Sequence, residues 1–261
     1  RAGDLSRMFA MAHDRPPTRL PALAQLLGVA GDVADVAVAG VQQDSRKVTP
    51  GDLFVALRGA KVDGAVYAAG AVARGASAIL TEAGREPLPV EVPVLAVADV
   101  RRAMAQAAAA IYGRPTEALR VVGITGTNGK TTSTGIVAQA LSAAATPATI
   151  GTLGFGLLGE LTPLTHTSPE ADELQRIARL LCDRGADHLV MEVSSIALAA
   201  GRVDEVAFDV VAFTNLSQDH LDYHGSMEAY AAAKRRLFFE HGASHAVINV
   251  DDAFGRALAD E

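Results

Sequence analysis

The sequence predicts an α/β chain in two parts, a small mixed α/β domain followed by a P-loop-type parallel-sheet domain. Three observations carry that expectation. Short apolar runs alternate with helix-period segments along the chain. "ADHLVMEVS" (186–194) and "FDVVAFTNL" (208–216) are continuously apolar, as in parallel strands covered on both faces. "LRVVGIT" (119–125) runs into "GTNGK" (126–130) and then "TTSTGIVAQALSAA" (131–144), a strand, a glycine-rich loop and a helix in succession.

Each element follows from local chemistry. Residues 1–19 are polar and interrupted by proline, and a flexible segment is expected there. "LPALAQLLG" (20–28) reads as a short helix closed by Gly28. "VAGVQQDSRKVTPGDLFVAL" (38–57) reads as two strands around a turn, with "TPGD" as the breaker. "GAVYAAGAVARG" (64–75) is helical and stops at Gly75, and "ASAILTE" (76–82) and "VPVLAV" (92–97) are strands. Asp99 is placed to cap the helix of 100–112, which Gly113 ends. "GRPTEAL" (113–119) combines glycine, proline and charge after a helix stop, so the linker is placed there, with domains over 20–115 and 116–261. In the second part Ser168 is expected to cap a helix with Pro169 at its first position and Glu170 in its first turn. Leu174, Ile177, Ala178 and Leu181 share one face of that helix, and Gly185 ends it. Ser226 is placed to cap "MEAYAAAKRRLFF" (227–239), and "SHAVINV" (244–250) is one more strand with a helix starting after it.

The bulk numbers exclude several classes. Hydrophobic residues are 49% of the chain, enough for a sizeable core. A formal charge of −7 disfavours nucleic acid as a partner. Cys182 is the single cysteine, which excludes an internal disulfide and a cysteine-rich zinc site; its helical spacing after "IARLL" suits a small buried apolar role. No apolar stretch reaches the length of a membrane span, and the first residues lack a signal-peptide core, so no membrane insertion and a cytoplasmic location are expected. The start at Arg1 and the stop within a helix lead to the expectation of a piece of a longer protein.

The glycine-rich loop is the most informative stretch. Backbone N–H groups converge at such a strand-to-helix turn, and the helix dipole favours anions there. Lys130 is placed to reach β- and γ-phosphates, and Thr131 to offer its hydroxyl to Mg²⁺. The strict P-loop spelling needs glycine at 124, where this chain has Ile124; Gly123 stands one residue early and Gly126 adds a bend. The plain alternative is a tight β–α turn that binds nothing. The ending Gly129-Lys130-Thr131-Thr132 favours nucleotide binding by Gly126, Thr127, Asn128, Gly129, Lys130, Thr131 and Thr132, with ATP and Mg²⁺ as the cofactors.

"GITGTNGKTT" (123–132) resembles the ATP loop of the Mur ligases, the ATP-dependent amide-bond-forming enzymes of peptidoglycan synthesis. "DSRKVTPGDLFVALRG" (44–59), "MEVSSIAL" (191–198) and "FTNLSQDHLDYHGSMEAYAAAKRRLF" (213–238) are similar to the branch that adds the third amino acid, diaminopimelate or lysine. The resemblance runs from about Val38 to the end. It implies a uridine-binding domain over 20–115, an incomplete ATP-binding central domain over 116–261, and a C-terminal amino-acid-binding domain with no counterpart in these residues. The implied activity is a ligase that moves the γ-phosphoryl of ATP onto a carboxylate of UDP-N-acetylmuramoyl-L-alanyl-D-glutamate, after which an amine, meso-diaminopimelate in the favoured reading, displaces phosphate. When full length, a monomer is implied.

Both reacting partners are anionic, so positive charge must be concentrated between them. The resemblance assigns that work to Lys130, Glu192, His220 and Lys234, with Thr131, Glu192, His220 and Lys234 as metal ligands. Glu192 closes an apolar strand at its C-terminal edge, where open α/β sheets hold ligands, and a carboxylate suits Mg²⁺; otherwise it is a solvated strand end. His220 is implied as a ligand, and His224 as a shaper of the loop. An ammonium at Lys234 would repel metal ions; the matching lysine of the family is carbamylated, and N6-carboxylysine is expected here. Otherwise Lys234 is one more basic residue on a solvated face, the reading kept for Arg235 and Arg236. Ser45 is implied near the uridine, and Thr167, Ser168, Ser194 and Arg202 around the sugar and peptide.

This chain departs from the family pattern at Ala60, Ala65, Ile196, Ala200 and Gln218, each of which lacks a polar or charged group usual at that place. Another Mur-type or folylpolyglutamate-type ligase is one rival reading; "DSRKVTPGDLF" argues against the folate branch. A non-catalytic nucleotide- or UDP-sugar-binding paralogue is the other, favoured by those departures.

Overall fold

The computed structural model describes residues 16–59 and 62–261. The segment 1–15 and Ala60 lie outside the described residues. The chain divides into two compact units, 1–114 with 171–176, and 115–170 with 177–261.

The first unit opens with β1 (Thr18–Arg19), α1 (Leu20–Leu26) and β2 (Ala37–Val38), with β1 and β2 antiparallel. Next come β3 (Gly40–Gln42), β4 (Asp52–Val55), α2 (Ala68–Ala73, after a short 3₁₀ turn), β5 (Ala78–Glu82), β6 (Val94–Val97) and α3 (Val100–Ile111). The sheet runs β3-β4-β5-β6, and all of its pairs are parallel. Side-chain alternation explains two cores from one sheet. Leu53, Val55 and Leu80 face Leu20, Leu23 and Met104. Phe54 and Ile79 face Ala68 and Ala71. Asp99 caps α3 through the N–H of Arg102. Since β3 and β4 are parallel, the segment 43–51 between them is a crossover and not a hairpin turn.

The second unit contains β7 (Arg120–Thr125), α4 (Lys130–Leu141), β8 (Pro147–Gly151), β9 (Gly154–Leu157), α5 (Ala171–Asp183), β10 (His188–Glu192), α6 (Ser195–Ala199), β11 (Val210–Phe213), α7 (Leu221–His224), α8 (Met227–Phe239), β12 (His245–Ile248) and α9 (Ala253–Asp260). The first six residues of α5 belong to the other unit. The sheet order is β12-β11-β7-β10-β8-β9, parallel except for β9. Ile124, Val190 and Ala138 form a core under α4. Leu174, Ile177, Ala178 and Leu181 are all buried, as their shared face requires. Ser226 caps α8 through the N–H of Ala229. Cys182 is half-buried, its thiol 3.5 Å from the Pro115 carbonyl.

Two local expectations are corrected. Ser168 does not cap α5: the N-cap is Glu170, without a side-chain cap bond. Ser168 Oγ instead donates to the Glu192 carbonyl at 3.1 Å and accepts the Ser194 N–H at 3.2 Å, so its acceptor is used by the segment after β10 rather than by the N–H groups of α5. The hairpin β8–β9 lies in a stretch where the sequence suggested no element. Pro147 opens it and Gly151, Gly154 and Gly156 punctuate it, so strand propensity is masked.

Candidate nucleotide and metal site

Residues 126–129 link the C-terminal end of β7 to the first residue of α4, with Gly129 as the N-cap. Gly126 has φ +148°, and a β-carbon there would overlap Thr214 Oγ1, so the loop can approach the strand end only with glycine. The segment after β11 holds the loop in place. Thr127 N–H donates to the Asn215 carbonyl (2.8 Å) and Asn128 N–H to Asn215 Oδ1 (3.0 Å). Thr214 Oγ1 donates to the Asn128 carbonyl at 2.7 Å, and Ser217 N–H to Thr127 Oγ1 at 3.0 Å. The Tyr230 hydroxyl, from α8, lies 3.0 Å from Thr127 Oγ1. Lys130 Nζ donates to the carbonyls of Gly126 and Thr127, both at 2.9 Å. Burial lowers its pKa, against the opposing charges of Glu192 and Asp219. Thr132 is exposed and lines a groove with Ile136 and Leu153.

Glu192, at the end of the neighbouring β10, is 1% exposed. Thr131 Oγ1 donates to its Oε2 at 2.9 Å, Thr152 N–H to its Oε1 at 2.8 Å and Thr152 Oγ1 to its Oε2 at 3.2 Å. A side chain at Gly151 would overlap this carboxylate, so the β8 end is kept open for it. Two of the four predicted metal ligands, Thr131 and Glu192, thus share one hydrogen bond. The other two flank one ring. Lys234 Nζ sits 4.4 Å from the centre of the Tyr230 ring, and the His220 ring is 6.3 Å from it. Lys234 is buried, and burial followed by the charge of Lys130 pushes its pKa down to about 7. It is not on a solvated face. His220 has φ +51° and lies 3.6 Å from Asp219. His224 reaches Ser195 Oγ at 3.0 Å, and burial lowers its pKa. Among the described residues, no group of three or more His, Cys, Asp or Glu side chains is arranged to hold a metal ion.

The predicted sugar and peptide residues form one network in this unit. Thr167 Oγ1 is 3.1 Å from Thr152 Oγ1. Ser194 N–H donates to Ser168 Oγ at 3.2 Å, and Ser194 Oγ caps α6. Arg202 donates to the Ser168 carbonyl (3.1 Å) and pairs with Glu170 at 2.5 Å, so its fork already meets a carboxylate. Ile196 and Ala200 are half-buried on and just after α6, and Gln218 is exposed. In the other unit, Ser45 lines a pocket with Gln43, Asp44, Arg46, Tyr67 and Arg74; Arg46 is folded back onto Asp44 with two 2.8 Å contacts. Ala65 is near this unit's Asp63, which accepts its N–H. Sequence reasoning missed Thr152, Asn215 and Tyr230. The first sits in the unrecognised hairpin, and the other two lie inside quoted motifs without a chemical signal of their own.

The family described as the Mur ligase middle domain matches residues 124–261, and the one described as Mur ligase family, catalytic domain, matches residues 37–112. The UDP-N-acetylmuramoyl-L-alanyl-D-glutamate–2,6-diaminopimelate ligase of Xanthomonas campestris pv. campestris (strain 8004) is 48% identical over 246 residues, which is 92% of this chain and 49% of the relative. The ligase of the same name from Streptomyces coelicolor is 43% identical over 260 residues, 96% and 51% of the two chains. A solved structure of a protein with that name superposes with a TM-score of 0.79 at 34% identity, over 94% of this chain and 49% of the other. The chain spans about half the length of the curated relatives it matches. With two family matches that together take in both units, the chain belongs to the Mur ligase family.

Proposed function

We propose that this chain is the nucleotide-binding half of an ATP-dependent ligase that adds an amino acid, meso-diaminopimelate, to UDP-N-acetylmuramoyl-L-alanyl-D-glutamate. The observation that carries the reading is the glycine loop at the end of β7 with Thr131 hydrogen-bonded to the buried Glu192. The names of the 48% and 43% identical relatives support the substrate and the reaction. The domain expected over residues 20–115 takes the uridine end at Ser45, and the domain from 116 onward takes ATP. The N–H groups at the start of α4 and the α4 dipole receive the phosphates, and Lys130 exchanges its two carbonyl partners for phosphate oxygens. The γ-phosphoryl passes to the substrate carboxylate, leaving ADP and an acyl phosphate; the amine then attacks the carbonyl and expels phosphate. Thr167, Ser168, Ser194 and Arg202 orient the acceptor.

The donor set fits a magnesium ion at Thr131 and Glu192, whose hydroxyl and carboxylate oxygens are hard ligands. When bound, Mg²⁺ supplies charge neutralisation between the anionic partners. His220 and a carbamylated Lys234 would hold a second ion. Lys234 suits that modification, because an ammonium is unfavourable in a buried place beside Lys130, whereas a neutral amine adds CO₂ and releases a proton. A cytoplasmic location belongs to the same reading; among the described residues no helix is long and apolar enough to cross a membrane.

The test is a phosphate-release and product assay with the protein extended to the relatives' length, the UDP-dipeptide, ATP, Mg²⁺ and either diaminopimelate or lysine. Product with diaminopimelate and none with lysine is expected. Absence of product with both overturns the reading. Carbon-13 NMR with labelled bicarbonate checks the carbamate, whose signal is expected to vanish in Lys234→Ala.

A further inference from the structure

We propose that Asp172 is a positioning residue for the nucleotide pocket at Ser45, acting through Gln43. The inference rests on the reading of that pocket as the uridine site.

β3 is an edge strand, so its outward N–H groups have no strand to bond. Side chains take them instead. The N–H of Val41 faces the Tyr112 hydroxyl at 3.4 Å. Two residues on, the N–H of Gln43 donates to Asp172 Oδ2 at 3.3 Å, and Gln43 Nε2 donates to Asp172 Oδ1 at 3.2 Å. One residue therefore occupies both oxygens of the carboxylate, and that residue begins the crossover 43–51 and lines the Ser45 pocket. The clamp fixes where the crossover leaves the sheet, and with it the placing of Asp44, Ser45 and Arg46.

The carboxylate is held in a costly place. Asp172 is 4% exposed, and burial pushes its pKa up to about 6 despite the N–H donors of Glu173 and Gln43. Glu173 and Arg176 on its own helix act on it in opposite directions. Asp52 on β4 and Tyr112 after α3 are the other titratable groups in this cluster. The Asp52 carboxylate accepts the Thr49 N–H and hydroxyl at 2.7 and 3.0 Å. An apolar residue at 172 would fill the site without desolvating a charge, and would leave both Gln43 donors without an acceptor. A protonated carboxyl, or an asparagine, keeps one acceptor in place of two.

The experiment measures UDP affinity by calorimetry with the whole chain, for the parent and Asp172→Asn, at about pH 8 and pH 5, with circular dichroism to verify folding. Titration of the nucleotide's own phosphate is common to both proteins and cancels in their ratio. The parent is expected to bind about threefold to tenfold more tightly at the higher pH, as for one hydrogen bond of typical strength, with the ratio falling to about one at the lower pH. A folded Asp172→Asn protein with parental affinity at both pH values overturns the proposal. A second readout is independent of the ligand: the backbone and side-chain amide NMR signals of Gln43 titrate in the parent and not in Asp172→Asn. If the parent binds no UDP, the uridine reading falls, and the Gln43 signals alone decide: titration supports the clamp, and its absence overturns it.

Discussion

The glycine loop after β7 and the crossover after β3 both follow parallel strands, yet they are built on opposite principles. After β7, the loop 126–129 feeds directly into α4, so it ends on a helix N-terminus, while its Thr127 and Asn128 N–H groups are taken by Asn215. After β3, the crossover 43–51 has no helix, and its pocket is walled by side chains from several elements. The first loop is held by the segment 214–217 through bonds that pair its backbone and the Thr127 hydroxyl with backbone, hydroxyl and amide groups of that segment. The second is held by two buried carboxylates, Asp172 at its start through Gln43 and Asp52 at its end through Thr49. A backbone-built site is conformationally strict and tolerates few substitutions, whereas a side-chain-built site is tuned by pairs.

The largest effect should come from the strict loop. Gly126→Ala places a β-carbon on Thr214 Oγ1 at φ +148°, and should lower stability by about 2–3 kcal/mol, read as a shift of the urea midpoint. A change under about 0.5 kcal/mol would show that the loop adapts as freely as a side-chain pocket. Next, Lys130→Ala should weaken Mg-ATP binding by about 1.5–3 kcal/mol in calorimetry while leaving UDP binding as it was, separating the two sites. Equal ATP affinity would remove Lys130 from the phosphate site.

Asp172 sharpens the contrast through pH. Its pKa is raised in the folded state to about 6, so ionising it costs stability as pH rises through that value, and the cost disappears below the unfolded value near 4. Asp172→Asn should therefore be more stable than the parent at about pH 8, by on the order of 2 kcal/mol, with the gap closing towards about pH 4. Denaturation at both pH values tests this, and a pH-independent gap would contradict it. The smallest effect is expected at Tyr230→Phe, which removes the hydroxyl beside Thr127 and keeps the ring over Lys234; Mg-ATP affinity should fall by about 1 kcal/mol with the carbamate signal retained. Loss of that signal would instead make the hydroxyl part of the lysine's environment.

Much of the backbone-built site is legible in the residues themselves. "GTNGK" after an apolar run specifies strand, bend and helix start, because only glycine relieves the contact at Thr214 and because the lysine and threonine follow at fixed helical positions. Glu192 is legible as the end of an apolar strand, and Asp99 and Ser226 as caps. The cap expected at Ser168 misleads for a tertiary reason: the Ser194 N–H takes its oxygen as acceptor while its proton goes to the Glu192 carbonyl. The hairpin β8–β9, which delivers Thr152 to Glu192, is hidden by its proline and glycines.

By itself, then, the sequence determined the α/β alternation, the glycine loop between strand and helix and the strand-end place of Glu192, since these depend on local periodicity and on side chains a few positions apart. Only the tertiary structure decided partners distant along the chain. It set Thr131 on Glu192 across 61 positions and Gln43 on Asp172 across 129, and it brought the Tyr230 ring over Lys234 and its hydroxyl against Thr127. The physical reason is that a hydrogen bond or a buried charge takes its strength from the burial and geometry around it, and those are properties of the packed sheet rather than of neighbours in the chain.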